Sequence, residues 1–395
     1  MLDRPLSPKQ GSESRRSSPY PYYAGYTEKF VASLLPIIGA NAGQTVLDPW
    51  NGSGTTTTVA AFAGLRSIGV DLNPVMVIAA YVRSAPSACI EDVCTRFAEI
   101  MARRRRIEAD ESPFEYCANI YNEYISLSEI DSCSIAKFGL MVACRSLARS
   151  IRSKNPTWFR LRDMNDFEVS EASIIDAISN SFASLDSWAK SRNYTPIEFE
   201  PILIEGDWSS VSIDRSIDHV ITSPPYLTRI DYVMKTLPEL IFLSRIQPTD
   251  LALLRSSMLG TVLTDREFAG LSFSRCPTAA SSVTSISEHN SKASSTYYRT
   301  FFTQYLSRLF HSLKRGAQMQ PRPKSFTIVS QGSYYKERLI DLPAIIDEFM
   351  CLLGYQVSMR YEYANRRNIA LVNSRAHAAT AISPDEVVCI YKRSV

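Results

Sequence analysis

The chain has 395 residues, enough for one large domain with insertions or for two domains, and its 45% hydrophobic and 21% charged residues are those of a globular protein. A formal charge of +3 is mildly basic and permits contact with nucleic acid without demanding it. Eight cysteines without a Cys-x-x-Cys pair and four scattered histidines speak against a disulfide framework and a structural zinc, and no apolar run approaches the roughly 18 residues of a membrane span, so a reduced cytoplasm is the expected home.

Residues 1–20, rich in Ser, Pro and Arg and lacking a signal peptide's apolar core, read as a disordered lead. "YTEKFVASLLPIIGA" (26–40) has helical apolar spacing, with Thr27 as N-cap. "QTVLDPW" (44–50) is a short apolar strand that runs into "NGSGTTTTVAAFAGL" (51–65), a Gly-Ser turn followed by a helix of small residues. "RSIGVDLNPVMVIAAYVRSA" (66–85) gives a second strand ending on an acid and a second helix, so a parallel β-α-β-α unit opens the fold. From about 90 to 195, apolar and basic positions alternate at helical spacing with no convincing strand. This stretch reads as a helical insertion, because a structureless connection of that length does not suit a compact domain. Its cations (Arg103 to Arg106, Arg145, Arg149, Arg152, Lys154, Arg160 and Arg162) read as a solvated charged face, to which Trp158 and Phe159 add little.

The sheet pattern resumes with "FEPILIEGDW" (199–208) and "DHVITSPPY" (218–226). Residues 256–296, polar and Ser-rich, read as a mobile loop. A helix over 297–317, a strand over 325–335 and a helix over 341–355 follow, then strands over 356–363 and 386–393. The connection between those last two strands is long for a hairpin.

Two of these stretches carry chemistry. In "SPPY", Pro224 and Pro225 cannot donate to a ladder, each fixes its own φ, and each restrains the residue before it. A stiff extended loop results, holding the Ser223 hydroxyl, the Pro224 carbonyl and the Tyr226 ring in fixed relation at a strand's carboxyl end, where ligands of open α/β sheets bind. Alone, an ordinary Pro-Pro turn explains it as well. In "DPWNGSGTT", Asp48 ends a strand and Gly52 and Gly54 precede a helix. Thr55-Thr56 after Gly54 excludes a P-loop, and Thr57 stands where a dinucleotide fingerprint needs its third glycine. The third candidate ligand is S-adenosylmethionine, which needs a close glycine turn and an acid for its ribose hydroxyls; Asp71 supplies the acid. Taken singly, Asp71 reads equally as a helix cap, Asp207 as a turn former and Tyr226 as a core aromatic.

Rival chemistries fail. His219 stands four positions before Ser223, about 13 Å along a strand, too far to serve as its base. Methylation at cytosine C5 needs a cysteine after a proline, and Cys276 precedes Pro277 instead.

"VLDPWNGSGTT" (46–56) and "TSPPY" (222–226) together resemble the amino-directed DNA methyltransferases, which methylate exocyclic nitrogens of cytosine or adenine; Trp50 replaces the family's usual Phe. "YYAGYTEKF" (22–30) resembles that family's helix-opening cofactor motif, and "ILIEGDW" (202–208) the motif whose acid, Asp207, sits near the adenine. "SPPYLTRIDY" and "QGSYYKERLIDLPAI" resemble a subset of bacterial DNA methylases. The resemblance implies an α/β fold, a Rossmann-like seven-stranded methyltransferase sheet with a closing antiparallel strand pair. The catalytic domain would span 21–89 and 196–395, interrupted by the helical insertion at 90–195. It implies S-adenosylmethionine bound by Tyr26, Thr27, Phe30, Asp48, Pro49, Trp50, Gly52, Gly54, Thr55, Asp71, Leu72, Asn73, Asp207 and Trp208, with catalysis by Ser223, Pro224, Pro225 and Tyr226. Ser-Pro-Pro-Tyr is typical of the cytosine-N4 enzymes and Asp-Pro-Pro-Tyr commoner for adenine N6, so cytosine N4 is preferred and adenine N6 is the alternative. An RNA exocyclic-amine methyltransferase and a non-catalytic donor-binding subunit of a defence complex are further alternatives. The implied partners are DNA and a cognate restriction or defence-system protein, with no metal and no membrane.

Overall fold

The computed structural model describes residues 4–8, 19–20, 25–104, 106–108, 111–127, 133–150, 159–160, 164, 169–192, 194–227, 230–270, 272–364 and 385–394. Its strands are β1 (Thr45–Asp48), β2 (Arg66–Asp71), β3 (Ile202–Glu205), β4 (His219–Thr222), β5 (Ser325–Gln331), β6 (Ser333–Tyr335), β7 (Arg338–Ile340), β8 (Tyr355–Tyr363) and β9 (Glu386–Arg393). Seven form one sheet in the order β3-β2-β1-β4-β5-β9-β8, while β6 and β7 form a separate ribbon. The first five are parallel, and β9 runs antiparallel to both β5 and β8.

The chain moves outward from β1 to β3, then returns to lay β4 on the other side of β1. The strand order therefore reverses between β1 and β4, and a crevice opens beyond their carboxyl ends. Register places Leu47 beside Val220, so Asp48 and Thr222 leave the sheet together, and Thr222 Oγ1 donates to Asp48 Oδ1 at 2.6 Å.

Helices follow from local signals. Thr27 caps α1 (Glu28–Ile38), its hydroxyl accepting from Phe30 N at 3.2 Å. Gly54 opens α2 (Thr55–Phe62), and Asn73 caps α3 (Pro74–Ser84), which begins on proline. Then come α4 (Ser87–Arg103), α5 (Pro113–Ser126), α6 (Cys133–Ser150) and α7 (Glu171–Ser191); no strand lies among the described residues between β2 and β3. After β4 follow α8 (Leu237–Ile246), α9 (Leu251–Ser257), α10 (Pro277–Ser287), α11 (Arg299–Ala317) and α12 (Leu342–Leu352).

Alternation along the strands divides the core. Val46, Ile221 and Val329 face α1 and α2, while Leu47, Val220 and Ile328 face α11 and α12. A third cluster runs from Val75, Met76, Ala79 and Val82 of α3 into α4 to α8.

Four expectations are corrected. The lead is not disordered throughout: Leu6 N donates to Ser33 Oγ at 2.9 Å, Thr27 N donates to the Pro8 carbonyl, and Tyr20 is buried. The rest of 1–20 lies outside the described residues. The stretch 256–296 is no bare loop; it holds the end of α9, all of α10 and short turns at Arg266–Gly270 and Ser294–Tyr298. Ala279, Val283 and Ile286, one helical face, bury into the cluster under α11 and α12, and Thr278 donates to the Glu348 carboxylate from its amide and its hydroxyl. The strand expected over 325–335 breaks after Gln331 into β5 and the β6–β7 ribbon. Arg145 is not on a solvated face: it pairs with the fully buried Glu239 at 2.5 Å. Arg103, Arg104, Arg106, Arg149 and Arg160 are exposed as expected, and Phe159 packs partly buried on the helical core. Arg105, Arg152, Lys154, Trp158, Arg162 and the 365–384 connection lie outside the described residues.

Candidate active site

A cavity of about 1030 Å³ opens beyond the carboxyl ends of the central strands. The β1 exit lends it Pro49, Trp50 and Gly52, the β2 exit Asp71, Leu72 and Asn73, the β3 exit Asp207 and Trp208, and the β4 exit Ser223, Pro224, Pro225 and Tyr226. A recess of about 40 Å³ adjoins it, lined by Tyr26, Asp48, Thr55, Thr56 and again Trp50, Gly52 and Ser223. Three residues expected at the cofactor line neither space. Thr27 is occupied in capping α1, Phe30 is fully buried in the core, and Gly54 sits under α3.

The β1 exit is rigid because its acid is saturated. Asp48 accepts from Thr222 Oγ1 and Thr56 Oγ1 at 2.6 Å, and from Tyr26 Oη and Trp50 N at 3.2 Å. Burial pushes its carboxyl above the ordinary range while these donors pull it back, and burial, then Asp48 itself, drives the Tyr26 phenol well up. The turn can close on α3 because Gly54 has φ +82° and no Cβ; a Cβ there would lie 2.6 Å from that of Ala80. From the same helix Arg83, its side chain only 5% exposed, pairs with Glu28 and donates to the Ser53 carbonyl at 3.2 Å and Thr55 Oγ1 at 2.8 Å.

Asp71 is held by two amides, Gly52 N on Oδ2 at 2.8 Å and Asn73 N on Oδ1 at 2.9 Å. Each oxygen keeps acceptor capacity for a ligand hydroxyl. Burial pushes its carboxyl up to about 6, with the nearby Asp48 charge adding to the shift against the two amides. At the β3 exit Asp207 forms a turn, accepting from Ser209 N at 2.8 Å, and lines the cavity as well. Trp208 is buried, its indole N–H donating to the Ser312 carbonyl at 3.0 Å. His219, at the far end of β4, bonds Ser325 Oγ and Gln44 Oε1; burial lowers it to about 4 and keeps it neutral.

Sequence reasoning missed a second set of lining residues. Tyr20 donates to Glu239 Oε1 at 2.6 Å and accepts from Arg145 at 3.0 Å, so the lead and the helical stretch both wall the cavity. Lys235, which burial lowers to about 8, lies nearby. Elsewhere in the lining Arg308 donates to the Ser256 and Met258 carbonyls at 2.9 and 3.4 Å and borders the cavity with Arg266, Phe268 and His311. The available signal was helical spacing: Arg308, His311 and Ser312 lie on the polar face of the amphipathic α11.

Among the described residues no group of three or more His, Cys, Asp or Glu side chains is placed to hold a metal ion, and no helix is long and apolar enough to cross a membrane. No family model matches the chain. A stretch of 58 residues is 41% identical to the type II methyltransferase M.BsoBI of Geobacillus stearothermophilus; the match covers 15% of this chain and spans 11% of that protein's length. This similarity and the mostly parallel seven-stranded sheet are consistent with a Rossmann-like methyltransferase.

Proposed function

We propose that the protein is an S-adenosylmethionine-dependent DNA methyltransferase acting on an exocyclic amino group of a base turned out of the duplex, with cytosine N4 the preferred target. One observation carries the reading: the Ser-Pro-Pro-Tyr loop lines the same cavity as Gly52, Asp71 and Asp207. The residues present suit that donor. Gly52 offers close backbone approach, Asp71 has acceptor capacity for ribose hydroxyls, and Asp207 and Trp208 border the space for an adenine. Bound there, S-adenosylmethionine supplies a methyl group already activated by its sulfonium charge.

The chain's own residues prepare the acceptor. An exocyclic amine is a poor nucleophile because its lone pair is delocalised into the ring. Ser223 Oγ and the Pro224 carbonyl accept its two N–H bonds, contacts that strengthen as the nitrogen becomes tetrahedral and so favour the transition state over the ground state. The prolines fix these acceptors, so little reorganisation accompanies reaction. Tyr226 stacks on the extruded base, worth roughly 1–3 kcal/mol. In this reading 21–89 and 196–395 form the catalytic domain, and the helices of 90–195 and the stretch 256–296 share the reading of DNA.

Nucleoside analysis of duplex DNA treated with enzyme and labelled donor tests it, with N4-methylcytosine expected. Label found only in N6-methyladenine moves the target to adenine, and transfer to tRNA in preference to DNA moves it to RNA. Ser223→Ala is expected to slow turnover about 100-fold with donor affinity kept; unchanged turnover rejects the role given to Ser223, and donor binding with no methyl transfer by the isolated wild-type protein favours a non-catalytic donor-binding subunit.

A further inference from the structure

The Ser-Pro-Pro-Tyr loop has almost no backbone donors with which to hold itself. Pro224 and Pro225 lack an N–H, so the first amide after Ser223 is that of Tyr226. Both polar atoms of that peptide meet tyrosine hydroxyls. Tyr305 Oη, from α11, donates to the Pro225 carbonyl at 2.6 Å, and Tyr226 N–H donates to Tyr232 Oη at 3.1 Å. The Pro225 C=O and the Tyr226 N–H share one plane, so bonds at its two edges fix its rotation. That rotation aims the Pro224 carbonyl on one side and the Tyr226 ring on the other.

Each tyrosine is itself anchored. Tyr305 is 1% exposed, within the cluster of Phe301, Leu306 and Leu309. Tyr232 opens a helical turn capped by Asp231, which Arg255 holds at 2.5 Å. Gly260 lets the segment after α9 lie close to the same point: a Cβ there, at φ +83°, would be 3.5 Å from the Tyr226 carbonyl oxygen and 3.8 Å from the Tyr305 ring. Burial raises both phenols above their ordinary pKa, so both keep their protons at working pH.

We propose that Tyr232 and Tyr305 are positioning residues for methyl transfer, their hydroxyls clamping the Pro225–Tyr226 peptide so that acceptor carbonyl and stacking ring meet the target base in one fixed geometry. This rests on the methyl-transfer reading above. The two hydroxyl bonds of the clamp fall on the Pro225–Tyr226 peptide, on the base side of the cavity. The backbone of the Tyr232 turn is tied to the β2 exit separately, through Thr236, which donates to the Tyr232 carbonyl and accepts from Asn73, so removing a hydroxyl alone spares that link.

Tyr305→Phe and Tyr232→Phe each remove one oxygen and keep the ring. In each, kcat for DNA methylation is expected to fall about 10- to 100-fold, as a small misplacement of a reacting group does, while the Kd for S-adenosylmethionine stays within about twofold. A kcat within twofold of wild type in both variants overturns the clamp, as does donor affinity falling in step with kcat. Hydrogen exchange at the Tyr226 amide reads the clamp without activity, and the preceding prolines leave that amide isolated in its peptide. Slow exchange in the wild type that quickens at least tenfold in Tyr232→Phe supports the clamp, and fast exchange in the wild type overturns it. A wild-type protein that transfers no methyl group to DNA counts against the functional reading, and the exchange measurement then decides the clamp alone. Should one variant fail to fold, the other carries the same expectation, because each hydroxyl holds a different edge of one peptide.

Discussion

The exits of β1 and β4 stand side by side at the mouth of one crevice and differ in how far along the chain their supports lie. The β1 turn is secured mostly by neighbours within the first β-α-β unit, Trp50 N and Thr56 Oγ1 on Asp48 and Gly52 N on Asp71, 19 residues away, with Thr222 of β4 as its one long-range bond on Asp48 among those described. The β4 loop has one local support, Tyr232, and two distant ones, Tyr305 80 residues on and Ser333, whose hydroxyl donates to the Leu227 carbonyl across 106 positions. The glycine turn and the Asp71 end of the donor side lie within the first β-α-β unit, and Asp207, Trp208 and Thr222 join them from β3 and β4. The base side is complete only once α11 and the β6–β7 ribbon have docked. Substitution of Tyr305 in α11 should therefore reach the chemistry of the base, whereas substitutions near Ser312 and Arg315 of the same helix, which touch Trp208, should reach the donor side.

The comparison breaks most visibly at its glycines. Gly54→Ala forces a Cβ to within 2.8 Å of Ala80 Cα at positive φ, and a stability loss of about 2–4 kcal/mol is expected in denaturant titration. Gly260→Ala meets no atom closer than 3.5 Å and should cost only the strain of its φ, about 1 kcal/mol. Equal losses would mean the two sides are not differently packed. Next, Tyr226→Ala should raise the KM for DNA roughly 10- to 100-fold through lost stacking, with donor affinity unchanged in calorimetry.

Acidity sharpens the donor side alone. Burial holds the Asp71 carboxyl up near 6, above its unfolded value, so its contribution to the ligand-free fold is greatest when protonated and is lost as pH rises through about 6. Donor hydroxyls need the ionised carboxylate, so affinity runs the other way, falling about tenfold between pH 7 and pH 5. An affinity flat from pH 5 to 8 would remove Asp71 from the ribose. The smallest effect is expected at the opposite end of the sheet. Lys324, 60% exposed, pairs with Asp218 there at 2.8 Å, and Lys324→Ala should cost under about 0.5 kcal/mol and change neither side.

The same contrast explains what was legible in the amino-acid order. The strand, glycine turn, helix and strand-end acid of the donor side are contiguous, and Thr27 was readable as a cap because capping is local. Tyr20, Arg145, Tyr305 and Arg308 reach the cavity only through packing between distant elements, for which single residues carry no local sign. Arg145 illustrates the difficulty: its helix is basic outside, and only the buried Glu239 on α8 turns this one cation inward. In α10 the apolar face of Ala279, Val283 and Ile286 was diluted by serines and threonines, whose frequency imitates a loop.

Tyr20 stands ahead of the first strand, yet its hydroxyl and ring complete a chamber wall with Arg145 and Glu239. Trimming the chain to residue 25 would thus strip a stave from the vessel, leaving an arginine–glutamate couple facing water. An expression tag fused there would meet the same wall, so the amino-terminal boundary chosen in the laboratory becomes a variable of the chemistry itself.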